Sequence, residues 1–118
     1  MGVSLYYQAR RSTPLTEAEA TEVARIAATH QASFPYEDEE SLYLYGDDGR
    51  EPDEILSGST KLPLAPARLL PVTTHVLASV TELRRALPDA EWQVHIDDVD
   101  IPWDGDEGYA LPGTRAQR

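Results

Sequence analysis

Two halves of this chain follow the same plan, strand then helix then strand, and that repetition narrows the folds open to it more than any other feature. Residues 3–10 set Val3, Leu5, Tyr7 and Ala9 against Ser4, Tyr6, Gln8 and Arg10, the period-2 alternation of a half-buried strand. A helix follows, and residues 42–45 make a short aromatic strand in which Leu42 and Leu44 oppose Tyr43 and Tyr45. The second half has a strand over residues 55–62 and a helix whose Val72, Val76, Val80, Leu83 and Leu87 share one face. Its last strand, residues 91–97, sets Trp92, Val94 and Ile96 against Gln93, His95 and Asp97. The order βαββαβ predicts an α+β, ferredoxin-like two-layer sandwich: an antiparallel sheet in the order 4-1-3-2 with both helices on one face.

Local chemistry sets the boundaries. Thr16 with Glu19 three residues on makes a capping box, with Leu15 and Ala20 at the staple positions. Ala20, Val23, Ala27 and His30 form the helix stripe with Ile26 beside it, and Pro35 stops the helix by disfavouring it at Phe34. Turn residues make 46–54 a hairpin loop, and Gly58 marks a bulge or a close approach inside its strand. Pro71 suits the first position of the second helix, and Pro88 with Asp89 closes it. Residues 98–118 form an irregular acidic and aromatic extension to a domain spanning 1–97. Ile101, Trp103, Tyr109 and Leu111 fold back over the sheet edge or dock on another subunit, Pro102, Gly105 and Gly108 rule out a regular element, and the last five residues are expected to be disordered.

At 118 residues the chain suits one domain with one core. It has no cysteine, which removes disulfides, thiolate metal sites and cysteine nucleophiles. No apolar run approaches the roughly 20 residues of a membrane span, and the N-terminus lacks an apolar leader, so a cytoplasmic protein is expected. Nine arginines to one lysine point to a GC-rich, bacterial genome. The net charge is −11, and its distribution is uneven. Residues 37–54 hold nine acids against Arg50, and residues 89–107 hold eight acids and no base. Such a field repels nucleic acid and anionic membranes and attracts a basic partner.

Alternation places Tyr6, Gln8, Arg10, Tyr43, Tyr45, Gln93, His95 and Asp97 on the open face of the sheet. Tyr6, Arg10, Tyr43, Tyr45 and His95 there form a candidate ligand or partner face. Glu37, Asp38, Glu39, Glu40, Asp47, Asp48, Asp98 and Asp100 form candidate acidic partner loops. Weaker patterns weigh against catalysis. The run from Ser57 through Lys61 lacks the phosphate-loop spacing, and Ser59 with Lys61 is a strand pair before it is a nucleophile. His95 with Asp97 is short of a metal site by at least one ligand, and the acids after Asp98 fail the calcium-loop pattern at Pro102. His30 reads as a packing histidine and His75 as lying on the polar side of its helix. No motif calls for a cofactor or a metal.

The resulting expectation is a non-enzymatic acidic interaction module, in one form an inhibitor of the immunity or antitoxin type acting on a basic protein. The alternative is a small ligand-binding or enzymatic homodimer with a pocket on the open sheet face. A third is an accessory subunit that docks through the aromatic tail.

Overall fold

A computed structural model describes residues 3–45, 53–106 and 108–109. The first strand, β1 (Val3–Arg10), does what its alternation demands: Leu5, Tyr7 and Ala9 are fully buried, and Tyr6 lies exposed on the other face. β1 pairs antiparallel with β2 (Glu54–Leu62) on one side and β3 (Glu91–Ile96) on the other. β3 turns at Asp97, whose φ of 51° is left-handed, into the two-residue β4 (Val99–Asp100). The chain is therefore a mixed α+β domain with a four-stranded antiparallel sheet in the order β2-β1-β3-β4 and two helices, α1 (Glu17–Ser33) and α2 (Pro66–Ala86). Val23 and Ile26 of α1 and Val72, Val76, Leu77, Val80 and Leu83 of α2 join Leu5, Tyr7 and Ala9 in one core. Each of the valines, leucines and isoleucine among them contributes about 1.5–3 kcal/mol of burial.

The strand expected at residues 42–45 is reduced to one bridge, Leu44 to Gly58, on the outer edge of β2. Two backbone bonds hold it, Tyr45 N–H to the Ser57 carbonyl at 2.8 Å and Ser59 N–H to the Tyr43 carbonyl at 3.2 Å. Side chains end the ladder there. The Glu40 carboxylate takes the Lys61 N–H (2.9 Å), and the Thr60 hydroxyl takes the Ser41 carbonyl (2.9 Å). The fourth place in the sheet falls instead to β4, at the opposite edge.

The capping box forms as expected, with Thr16 accepting from Glu19 N–H and Glu19 accepting from Thr16 N–H. Ala20, however, is exposed, so the buried stripe of α1 rests on Val23 and Ile26. α2 begins five residues before Pro71, at Pro66, and Pro71 sits inside the helix. Its ring has no N–H for the Ala67 carbonyl, a cost that the buried stripe beyond it outweighs. The tail is more regular than its prolines and glycines suggest. β5 (Trp103–Asp104) pairs with β6 (Gly108–Tyr109), and Thr81 of α2 receives the Tyr109 N–H at 3.0 Å. Through Tyr109 the tail folds back on its own chain. The loop 46–52, Leu111 and the last five residues lie outside the described residues. Arg11 ties the ends together: its guanidinium forks onto Glu19 (2.7 and 3.1 Å) and reaches Asp89 (2.9 Å).

Candidate functional site

The open face is a row rather than a cup. Strand register sets His95 beside Tyr6 and Tyr6 beside Ser59. The Tyr6 ring stacks on the His95 imidazole with centroids 5.1 Å apart and planes 23° apart. Ser59 shares a hydrogen bond of 2.7 Å with the Tyr45 hydroxyl, and the Tyr43 and Tyr45 rings meet edge to face at 5.9 Å. Tyr6 is 37% and Tyr43 59% exposed. Arg10 stands four residues further along β1, where it holds Asp53 (2.6 Å) and Glu54 (3.2 Å). The structure thus brings Tyr6 to His95 and Tyr43 to Tyr45 but leaves Arg10 apart. Of these five, Arg10 lines a cavity of about 500 Å³ with Gln8, Arg84 and Trp92, and Tyr43 lines another of about 400 Å³ with Gln31 and Leu42.

His95 has a defined tautomer. Its Nδ1 lies 2.5 Å from the Asp97 carbonyl, which can only accept, so Nδ1 carries the proton and Nε2 of the neutral ring is an acceptor. Ser59, the nucleophile of the weak Ser–Lys pattern, has its hydroxyl committed to Tyr45. No cluster of three or more His, Asp or Glu side chains is placed to hold a metal among the described residues.

The two acidic segments differ in their use. Asp38 (2.6 Å) and Glu39 (3.3 Å) grip Arg68, whose hydrogen bond holds the Asp38 carboxyl below its ordinary range, and Glu40 caps the Lys61 N–H. These carboxylates anchor the segment before β2. In the β3–β4 turn, Asp98 and Asp100 are exposed and carry no ion pair among the described residues, and Asp100 stands opposite His95 in the ladder. Asp47 and Asp48 lie outside the described residues.

Sequence reading separates His30 from His75, yet α1 and α2 bring them together. Their rings meet edge to face at 5.6 Å, with Phe34 against His75 at 5.2 Å. His30 pairs with Glu82 at 2.5 Å, His75 Nε2 is 3.3 Å from the Ser33 hydroxyl, and His75 Nδ1 is buried without a partner among the described residues. Burial first, and the neighbouring His30 second, lower the His75 pKa below 6.5. The folded state then binds fewer protons than the unfolded one, so this stability is complete above pH 6.5 and falls as pH drops through the folded pKa. Glu19, held down to about 2 by its hydrogen bonds to Arg11 and the Thr16 backbone, adds a second loss as pH falls from 4.5 toward 2. Thermal melts between pH 8 and pH 3 should therefore show two declines. His75→Leu should remove the upper one, and Glu19→Gln should reduce the lower, to which Glu22 and Asp38, each held down by an arginine, also contribute.

Sequence reading also passes over Arg84. Its guanidinium lies 4.3 Å over the Trp103 ring and 5.7 Å from that of Tyr109, and donates to the Tyr109 hydroxyl at 2.8 Å. A cation in the last turn of a helix complements the helix dipole and carries no further signal in sequence. Only the return of the tail onto α2 gives Arg84 its rings. Comparison with known proteins finds no matching family model, no matching curated protein and no matching solved structure.

Proposed function

We propose that this chain is a non-enzymatic interaction module that takes a basic partner at the corner of the sheet where Tyr6 meets His95. The observation that carries this reading is the exposed stack of Tyr6 on His95, beside the carboxylates of Asp98 and Asp100, which no described residue pairs with. An arginine of the partner lies over the Tyr6 ring and forks onto a carboxylate, while His95 Nε2 accepts a further N–H. Exposed contacts of this kind are worth about 0.5–1 kcal/mol each, so they steer association and choose the partner more than they hold it. Residues 37–40 contribute less, because Asp38, Glu39 and Glu40 are engaged within the chain. An acidic inhibitor of the immunity or antitoxin type is the form of module this surface suits. The fold belongs to the same reading: it is ferredoxin-like with its second strand cut back to the Leu44 bridge. The edge-to-edge sequence of β3, β1, β2 and Leu44 supports that.

The test is a backbone-amide NMR titration of the full chain with an oligoarginine peptide, and with an oligoglutamate peptide as control. Tyr6, His95, Asp98 and Asp100 should shift first and together with oligoarginine, and Tyr6→Ala with Asp98→Asn should flatten their response. Shifts spread evenly over every acidic segment, or centred on residues 37–40, would sink the reading.

A further inference from the structure

α1 is buried only as far as Ile26. Val23 and Ile26 are its buried residues, and no position from Ala27 to Ser33 is closed to solvent. Polar groups fix these last turns to α2 instead. His30 pairs with Glu82 and meets the His75 ring edge to face, and the Ser33 hydroxyl stands 3.3 Å from His75 Nε2. The chain leaving the helix continues this seam. Phe34 packs edge to face on His75 at 5.2 Å and Tyr36 on Phe34 at 6.0 Å, with Arg68 lying 4.8 Å over the Tyr36 ring. Gln31 holds the Leu42 carbonyl at 2.9 Å. The end of α1 therefore carries the segment 34–45, and that segment covers the outer edge of β2 at Ser57 and Ser59.

His75 is the group this seam cannot accommodate in charged form. A protonated imidazole has an N–H on both nitrogens, and His75 Nδ1 is buried with no acceptor among the described residues. The groups that face the ring are His30 and Ser33 from α1 and Phe34 after it, and none of them brings a negative charge. Glu82 on α2 is engaged by His30, with Arg25 nearby, and Asp38 and Glu39 are engaged by Arg68. Burial and the neighbouring His30 both favour the neutral ring, in agreement with this geometry. Once the end of α1 lifts, the ring meets water and charges without that cost.

We propose that His75 is a proton-operated latch: its protonation raises the population in which the last turns of α1 and the segment 34–45 stand away from α2 and β2, the rest of the fold staying closed. A loss of stability at low pH leaves open where the chain yields, and the placement of the buried residues decides it. Val23 and Ile26 keep the first turns of α1 seated, and Leu5, Tyr7 and Ala9 keep the sheet in the core. Buried Leu42 and the hydrogen bond between Tyr43 N–H and the Tyr7 hydroxyl keep the closed form in the majority, so the latch acts on a minor open state. That state bares the backbone groups of Ser57 and Ser59, an edge on which another strand can pair. The latch is independent of the partner reading, whose residues lie at the β3–β4 corner.

The test is amide hydrogen exchange of the full chain, followed by NMR at pH 7.5 and pH 5.5 and corrected for the intrinsic rate at each pH. The Tyr43, Tyr45 and Ser59 amides should be less protected than those of β1 at both values. Their protection should fall several-fold at pH 5.5 and by no more than about tenfold, since a single group with an unfolded pKa of 6.5 takes up one proton. The midpoint of that fall should follow the titration of the His75 ring, read from its carbon-bound protons, and His75→Leu should remove it. No fall at pH 5.5, exchange of these amides only together with β1, or a response that survives His75→Leu overturns the proposal. Should His75→Leu fail to fold, the unaltered chain decides it, because a midpoint that departs from that of the His75 ring overturns the proposal equally.

Discussion

Gly58→Ala is expected to destabilise the domain by roughly 3 kcal/mol, at the upper end for a single overpacked methyl. A Cβ at this position would stand 2.1 Å from the Tyr43 carbonyl oxygen and 2.5 Å from Cε2 of the Tyr7 ring. Neither neighbour can retreat without loss. The Tyr43 carbonyl is held by Ser59 N–H, and the Tyr7 ring is wholly buried in the core. The sign of the result is itself diagnostic. Replacing glycine by alanine in an unhindered extended backbone stabilises by about 0.4–1 kcal/mol through the unfolded chain. Urea unfolding of the two proteins measures the difference. A neutral or stabilising outcome would mean that residues 41–45 do not lie against β2 in solution.

Tyr7→Phe removes one oxygen and is expected to cost about 2 kcal/mol, because that oxygen is the middle of a buried chain of hydrogen bonds. Tyr43 N–H donates to the Tyr7 hydroxyl at 2.9 Å, and the hydroxyl is 2.9 Å from the Thr60 oxygen, which donates to the Ser41 carbonyl at 2.9 Å. Each hydroxyl has one proton, so the Tyr7 hydroxyl shares its single donation between the Thr60 oxygen and the Tyr43 carbonyl 3.1 Å away, which also accepts from Ser59 N–H. Phenylalanine fills the same space but leaves the Tyr43 amide without its acceptor. Burial pushes the Tyr7 phenol from 10.0 up to about 12, despite the Thr60 bond working the other way. A pKa raised on folding gives stability that is whole below pH 10 and is lost as pH rises toward 12. The parent protein should therefore weaken above pH 10, and Tyr7→Phe should reduce that decline as well as the plateau. In a double-mutant cycle, Tyr7→Phe with Thr60→Val should cost less than the two separately, since both break one chain. Additive losses would show that the two hydroxyls act independently.

These two positions mark where local pattern and tertiary arrangement part. Alternation over residues 3–10 predicts β1 with its buried set, because a strand's period is read directly from its side chains. The capping box at Thr16 and the stripe from Val72 to Leu87 are equally local. A bulge or close approach at Gly58 was also legible, since a glycine inside a strand gives up packing and entropy for some reason. What approaches it was not: the Tyr43 backbone is 15 residues away in sequence and arrives only when the chain folds. The length of the second strand was misread for a related cause. Leu42 and Leu44 alternate as strand residues do, but Glu40 and Thr60 take up the edge groups that would have extended the ladder.

The candidate sites divide in the same way. Alternation put Tyr6 and His95 on one face, and the register of β1 with β3 made them a stack. Acid content marked residues 37–40 and 97–100 alike, whereas Arg68 on α2 engages the first and nothing among the described residues engages Asp98 or Asp100 in the second. Arg84 is one more charged residue near the end of a helix until β5 and β6 bring two rings onto it. The sequence by itself determined which residues lie on which side of β1 and β3 and along the buried stripe of α2, because that periodicity is a property of the backbone. Tertiary structure alone decided which charges are neutralised, which hydroxyls are joined and which rings meet, because those depend on approaches of a few ångströms between segments far apart in the chain.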